Sequence, residues 1–436
     1  MKSFSYQARW NFVISVTAQV VSVGFIALVS RLLGRVDFGY YIWITALPGM
    51  IVVFDLYLGQ ALQNRLSELI VTNDRNARDK LIWGFLWGML VITLVFIAVC
   101  ALVAFVMTST SIWHMATIPS QVIWLGVIYV AAAGFGVPLL VAGTGFNAGG
   151  QVHRGAAFGL GLDLLTKLAF VGVLATTKSF FFAITILSIL TVVSNVIITI
   201  WFMRIFDVVY LAPSFTVIKT AFRELWFLGN AREWAVLRVA DGFFKNSELV
   251  IGAFVISSAT IGDFAVLDRL STALMLAANS AYVVLGPTLA AAGARGDKGR
   301  MAALTKKVGQ FSLVGLVLFS VLFLTAGEWV ASLWSGRAID FPFLIVLLIC
   351  ARAWTRVLSS LYWNILFGYK LVRGLLQATL MSGLAYVVLY GALISRYGVL
   401  SILIAQIVAQ AIFLLVAWRL QAKYHLVVSP TVASAA

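Results

Sequence analysis

Long apolar runs separated by short polar connections dominate the 436-residue chain. A helix that crosses the hydrocarbon core needs roughly 20 mostly apolar residues. Eleven segments meet that length: residues 11–33, 38–58, 81–107, 122–142, 158–177, 180–203, 264–285, 308–326, 341–363, 374–395 and 399–418. A twelfth stretch, within 231–257, falls between the sixth and seventh of these and is broken by charge. Its segment "RVADGFFKNSELVIGAFVI" carries Arg238, Asp241, Lys245 and Glu248. The connection 204–230 contains "FTVIKTAFRELWF", whose helical alternation of apolar and polar positions predicts an amphipathic interfacial helix. The expected fold is an all-α polytopic membrane protein of about twelve transmembrane helices in two six-helix halves. Their bounds are 1–203 and 231–419, with the connection 204–230 between them and a tail at 420–436.

Composition agrees with that pattern. Charged residues make up 11% of the chain, less than half the usual share of about 25%. Fourteen Trp, thirteen Tyr and thirty-one Phe suit two membrane interfaces. Residues 11–33 are too long an apolar run for a cleavable leader and read as a first span. Cys100 and Cys350 lie in apolar runs and imply no disulfide framework. The net charge of +15 would point to nucleic acid in a soluble protein. Here basic residues collecting in cytoplasmic loops account for it, and no nucleic-acid partner is expected.

The distribution of those basic residues decides whether the charged stretch crosses. With the N-terminus inside and twelve spans, nineteen of the 31 Lys and Arg fall in inside segments and five toward the outside. If 231–257 does not cross, everything after it inverts. Nine basic residues, among them Arg295, Lys298, Arg300, Lys306 and Lys307, then land outside against two inside. That reverses the positive-inside rule. The stretch is therefore read as a span, giving six per half with both termini on the cytoplasmic side. Six is even, so the halves enter in the same orientation, as parallel repeats do. An Asp-Phe pair opens the second span of each half, in "GRVDFGYY" and "ATIGDFAV".

Thirteen charges then sit at membrane depth: Arg238, Asp241, Lys245 and Glu248, with Asp55, Asp163, Lys167, Arg232, Glu233, Asp268, Arg269, Arg352 and Arg356. Facing lipid, they would cost about 30 kcal/mol or more on the insertion scale, beyond a typical net stability of about 5–15 kcal/mol. Those away from the interfaces must face the bundle interior or water. At about 100° per residue, the four charges of the seventh span fall within an arc of about 80°. Asp163 and Lys167 are spaced to pair one turn apart. Arg352 and Arg356 share a face with no acid nearby on their own helix, so they need an anion from another helix or from a ligand. A central hydrated cavity is expected.

Catalytic chemistry is sparse. The largest outside loop, 108–121, offers only His114, and "GARGDKGR" from Gly293 lacks the spacing of a nucleotide-binding loop. The Gly-rich "GTGFNAGGQVHRG" from Gly143 reads as a turn between helices, with His153 and Arg154 part of the inside charge bias. No enzyme activity, catalytic residue, metal site or cofactor is expected. The buried charge is arginine-rich, and guanidinium matches phosphate oxygens bidentately.

"SRLLGRVDFGYY" (Ser30–Tyr41), "FDLYLGQALQNRLSE" (Phe54–Glu68) and "ISRYGVLSILIAQI" (Ile394–Ile407) resemble polysaccharide-biosynthesis flippases of the Wzx type. These belong to the multidrug/oligosaccharidyl-lipid/polysaccharide (MOP) exporter superfamily. The resemblance implies a bacterial inner-membrane flippase that moves a polyprenyl-diphosphate-linked oligosaccharide, an O-antigen or exopolysaccharide repeat unit, by alternating access. Its expected partners are that undecaprenyl-diphosphate-type glycolipid, the bilayer and polysaccharide polymerase machinery. Diphosphate contacts are assigned to Arg238, Lys245, Arg269, Arg352, Arg356 and Lys167. Ion coupling is assigned to Asp55, Asp163, Asp241, Glu248 and Asp268, with Asp55 carried by the family-like motif. Two alternatives remain: a multidrug antiporter of the same superfamily, which calls for a more acidic lumen, and a polysaccharide polymerase or ligase, which calls for a large catalytic outside loop.

Overall fold

A computed structural model describes residues 2–51, 58–109, 118–226, 236–237, 240, 250–252, 254–275, 298–368, 371–428. The described structure is built of helices. They are α1 (Lys2–Leu32), α2 (Arg35–Ile51), α3 (Leu58–Val71), α4 (Arg75–Ser109), α5 (Ser120–Ala148), α6 (Val152–Thr177), α7 (Phe180–Ile205), α8 (Phe215–Trp226), α9 (Ser258–Leu274), α10 (Lys298–Ser335), α11 (Phe343–Gly368), α12 (Val372–Tyr397) and α13 (Val399–Val428). Eight of them, α4 to α7 and α10 to α13, are long and apolar enough to cross a membrane. Each matches one of the segments expected from hydropathy, with α11 starting at Phe343 rather than at 341. The C-terminal half of α4 exposes Val95, Val99, Leu102, Val103 and Phe105, a surface whose natural solvent is lipid. The chain is an all-α multi-pass membrane protein.

By its contacts the chain divides into two compact units, Met1–Gly262 and Asp263–Ala436. In the first, α5 is the central helix, packed on α2, α3, α4 and α7, while α6 joins α1 and α7. Phe146, Phe202, Val141, Phe85 and Leu62 form its core. Gly145 is a glycine because a Cβ there would lie 2.1 Å from the Phe202 ring. The Gly-rich segment from Gly143 is thus mostly helix, the end of α5 and the start of α6, and the connection between them shrinks to Gly149–Gln151. Small residues in membrane helices serve close packing as often as they break helices.

Pro138 lies inside α5. It has no N–H for the carbonyl four residues back, which belongs to Gly134. The buried Thr93 hydroxyl of α4 donates to that oxygen at 3.3 Å. In hydrocarbon an orphaned carbonyl must find a donor, and here a neighbouring helix provides it.

Residues 59–80, read from sequence only as a basic connection, hold α3 and the first turns of α4. Leu58, Leu62, Leu66 and Leu69 are buried at helical spacing, which is what folds α3 onto α5 and α4. The amphipathic helix expected in 204–230 forms as α8. Its apolar face meets protein: a Cβ on Gly84 of α4 would lie 2.5 Å from the Ala221 Cβ and 2.7 Å from the Val217 carbonyl.

The two described flanks of the charged stretch lie at opposite ends of the first unit. Trp226 closes α8, which packs on the start of α4, beside Phe206 and the C-terminal end of α5. On the other side Ser258 touches Gly39, so closely that a Cβ there would sit 1.9 Å from its oxygen. Phe254 meets Trp43 edge-on at 6.0 Å, and Trp43 packs at Gly126 near the N-terminal end of α5. Gly126 and Phe146 are about 30 Å apart along α5 at 1.5 Å per residue. The described residues before and after the charged stretch thus sit at opposite ends of α5.

In the second unit α12 and α13 form the most extensive helix pair, α11 packs on α13, and α10 packs on α11. Trp354 of α11 donates its indole N–H to Ser320 Oγ of α10 at 2.8 Å.

Candidate functional site

The second unit gathers four of the sequence-predicted site residues. Arg352 projects from α11 and pairs through Nη2 with the Asp268 carboxylate of α9. Both are buried, Arg352 at 1% exposure and Asp268 at 8%. Arg352 Nη1 donates to Gln406 Oε1 of α13 at 3.2 Å. Its guanidinium carbon stands 5.9 Å from the centre of the Phe264 ring. Arg269 and Arg356 lie within electrostatic range of Asp268 as well. Among the described residues, three arginines act on this one aspartate, a formal surplus of two positive charges. A surplus of that sign draws a polyanion and repels an organic cation.

The anion that Arg352 requires comes from another helix. Asp268 lies 84 positions away in sequence, and helical spacing along α11 carries no sign of it. Gln406 and Phe264 were missed altogether. The available signal was the pair Gln406 and Gln410 one turn apart in the otherwise apolar "SILIAQIVAQAIFLL". Thr355 Oγ lies 2.6 Å from Gln410 Oε1 and 3.0 Å from the Arg352 carbonyl, so the polar seam continues along α11 and α13.

In the first unit the spacing of Asp163 and Lys167 does produce a pair, at 2.6 Å. Lys167 also donates to Ser22 Oγ of α1 at 2.9 Å and stands 5.7 Å from the Phe25 ring centre. Its ammonium therefore ties α6 to α1. The Asp163 side chain keeps 45% of its exposure, against 18% for Lys167. Arg238, Lys245, Asp55, Asp241 and Glu248 lie outside the described residues, as do Arg232, Glu233 and His114.

At the α8 end of the first unit the chain between α7 and α8 is strapped to α4. Asp79 Oδ2 accepts from the Val209 N–H at 3.1 Å, and the Trp83 and Trp87 indoles donate to the Val209 and Leu211 carbonyls at 2.9 and 3.1 Å. Arg78 donates to the Asp207 carbonyl at 3.2 Å and pairs with Asp79 at 2.8 Å. Arg65 of α3 donates to Glu68 of the same helix and to Glu224 of α8; its hydrogen bonds to both carboxylates raise its pKa above the ordinary value. A cavity of about 200 Å³ opens beside this strap. Its charged lining, Arg75, Arg78 and Asp207, is of mixed sign.

No family model and no curated protein matches the sequence. Solved structures do match its fold. An inward-facing multidrug resistance MATE family transporter of the MOP superfamily aligns with a TM-score of 0.71 at 12% identity, over 94% of this chain and 96% of that one. The lipid II flippase MurJ, in an inward closed conformation, aligns with 0.70 at 12% identity, over 94% and 87%. A MOP superfamily transporter from Pyrococcus furiosus, described as having a binding pocket of reverse polarity, aligns with 0.54 at 14% identity, over 94% and 93%. The chain has the fold of MOP superfamily transporters over nearly its whole length.

Proposed function

We propose that this chain is a flippase that carries a polyprenyl-diphosphate-linked oligosaccharide across the bacterial cytoplasmic membrane. The cargo is an O-antigen or exopolysaccharide repeat unit, and the mechanism is alternating access between the bundles 1–203 and 231–419. The termini lie in the cytoplasm. The observation that carries this reading is the positive surplus of the Arg352, Arg356, Arg269 and Asp268 cluster. Fold alone does not choose between cargoes, because MATE and MurJ align equally well. Charge in the site is what bears on cargo: reverse polarity of the binding pocket is what suggests a different function for the Pyrococcus furiosus neighbour.

Arg269 and Arg356 meet the diphosphate, with Arg352 behind them, while Arg238, Lys245 and Lys167 supply further positive charge along the path. The lipid tail stays in the bilayer and only the head crosses. An inside-negative potential drives an anion outward by about 2.3 kcal/mol per charge per 100 mV, so a head of two charges is already pushed in the right direction. Asp55, Asp163, Asp241 and Glu248 are the acids proposed to exchange an ion against it.

Deletion of the gene followed by mass spectrometry of lipid-linked glycans tests the reading. The expected result is accumulation of the complete repeat unit on the inner leaflet. A build-up of incomplete units, or none at all, would contradict it.

A further inference from the structure

We infer that Asp268 is a built-in competitor for the cargo phosphate at Arg352, an inference that rests on the flippase reading. Arg352 is the most buried cation of the cluster, and its Nη2 is held by the Asp268 carboxylate. Carboxylate and phosphate oxygens use the same forked donors of a guanidinium. The two anions therefore exclude one another at Nη2, and a phosphate that reaches Arg352 must displace Asp268. Gln406 holds Nη1 from the opposite helix, so the guanidinium stays oriented while its partner changes.

The displaced carboxylate has somewhere to go. Arg269, its neighbour on α9, has a buried Nε with no hydrogen-bond partner among the described residues, and both Arg269 and Arg356 act electrostatically on Asp268. A handover from Arg352 to Arg269 keeps the acid paired while cargo is bound. The arrangement also fits the needs of transport, since a site must bind firmly enough to load and weakly enough to unload. Three free arginines would trap a diphosphate. An aspartate that reclaims Arg352 as the head leaves lowers affinity and speeds release.

The test compares wild type with Asp268→Asn, which retains an oxygen for Arg352 and removes the charge. Binding of a short-chain prenyl-diphosphate sugar to the purified full-length protein should tighten at least tenfold. Flipping in proteoliposomes should slow, because release becomes limiting. Unchanged or weaker binding in Asp268→Asn overturns the inference. If that variant does not fold, wild type itself decides: adding the ligand should shift a carboxylate band in difference infrared spectra, assigned with Asp268→Glu. A spectrum without that shift overturns the competition. Failure of wild type to bind the ligand defeats the flippase reading itself, which is a separate outcome.

Discussion

Replacing Arg352 with methionine removes the buried cation while keeping most of its volume, and leaves Asp268 without its hydrogen-bonded partner. Breaking a buried ion pair from one side costs about 3–5 kcal/mol. The surroundings place the two single variants at different ends of that range. After Arg352→Met, Asp268 still has Arg269 and Arg356 within electrostatic range, so the loss should be about 3 kcal/mol. After Asp268→Leu, the buried Arg352 loses the carboxylate that holds its Nη2 while Arg269 and Arg356 keep their charge, so the loss should approach about 5 kcal/mol. The double variant removes both buried charges, and apolar replacement of a whole buried pair is often neutral. Its loss should stay below about 2 kcal/mol, leaving a large coupling energy in the cycle. Reversible unfolding of the four proteins in mixed micelles measures this. Additive losses, or Arg352→Met worse than Asp268→Leu, would refute the reasoning, since both outcomes deny that Asp268 is the counter-ion of the whole cluster. The folded double variant should also fail to flip cargo, which separates the stability role of the pair from its transport role.

Thr93→Val leaves the Gly134 carbonyl without a donor and should cost about 1–3 kcal/mol; in a Pro138→Ala background, where the new N–H reaches that oxygen, the same change should cost close to nothing by the same unfolding assay. Gly84→Val forces α8 off α4, because the added atoms meet the Val217 backbone; it should destabilise by about 1–3 kcal/mol and slow cross-linking between cysteines placed at Arg65 and Glu224. Cysteine labelling from the outside should reach positions 258–262 and 396–398 but not Lys219 or Arg300. Labelling at Arg300 would mean that the chain does not cross where the charge distribution predicts.

Length and hydropathy made the eight long helices legible, because lipid imposes the same demand on every span: enough apolar residues and an internally bonded backbone. The amphipathic α8 was legible from its period. The short α3 was not, since a search for spans passes over a helix that buries only Leu58, Leu62, Leu66 and Leu69 against protein. Gly145 misled because glycine marks a turn in water and a close helix contact in a membrane. The candidate site was half legible. Spacing put Asp163 beside Lys167 and Arg352 beside Arg356, each pair on one helix. It could not name Asp268 as the partner of Arg352, because a helical period fixes which residues share a face and leaves open which helix that face will meet.

The most direct measurement of the central claim is head-group translocation by the purified chain in proteoliposomes. A prenyl-diphosphate oligosaccharide is placed in one leaflet, and its appearance in the other is read by cleavage with a membrane-impermeant glycosidase. The account predicts that the wild-type chain accelerates transfer, that an imposed potential of the correct sign accelerates it further, and that Arg269→Ala/Arg356→Ala abolishes it in a protein that still folds. Transfer no faster than in protein-free liposomes, together with efflux of an organic cation by the same vesicles, would contradict it.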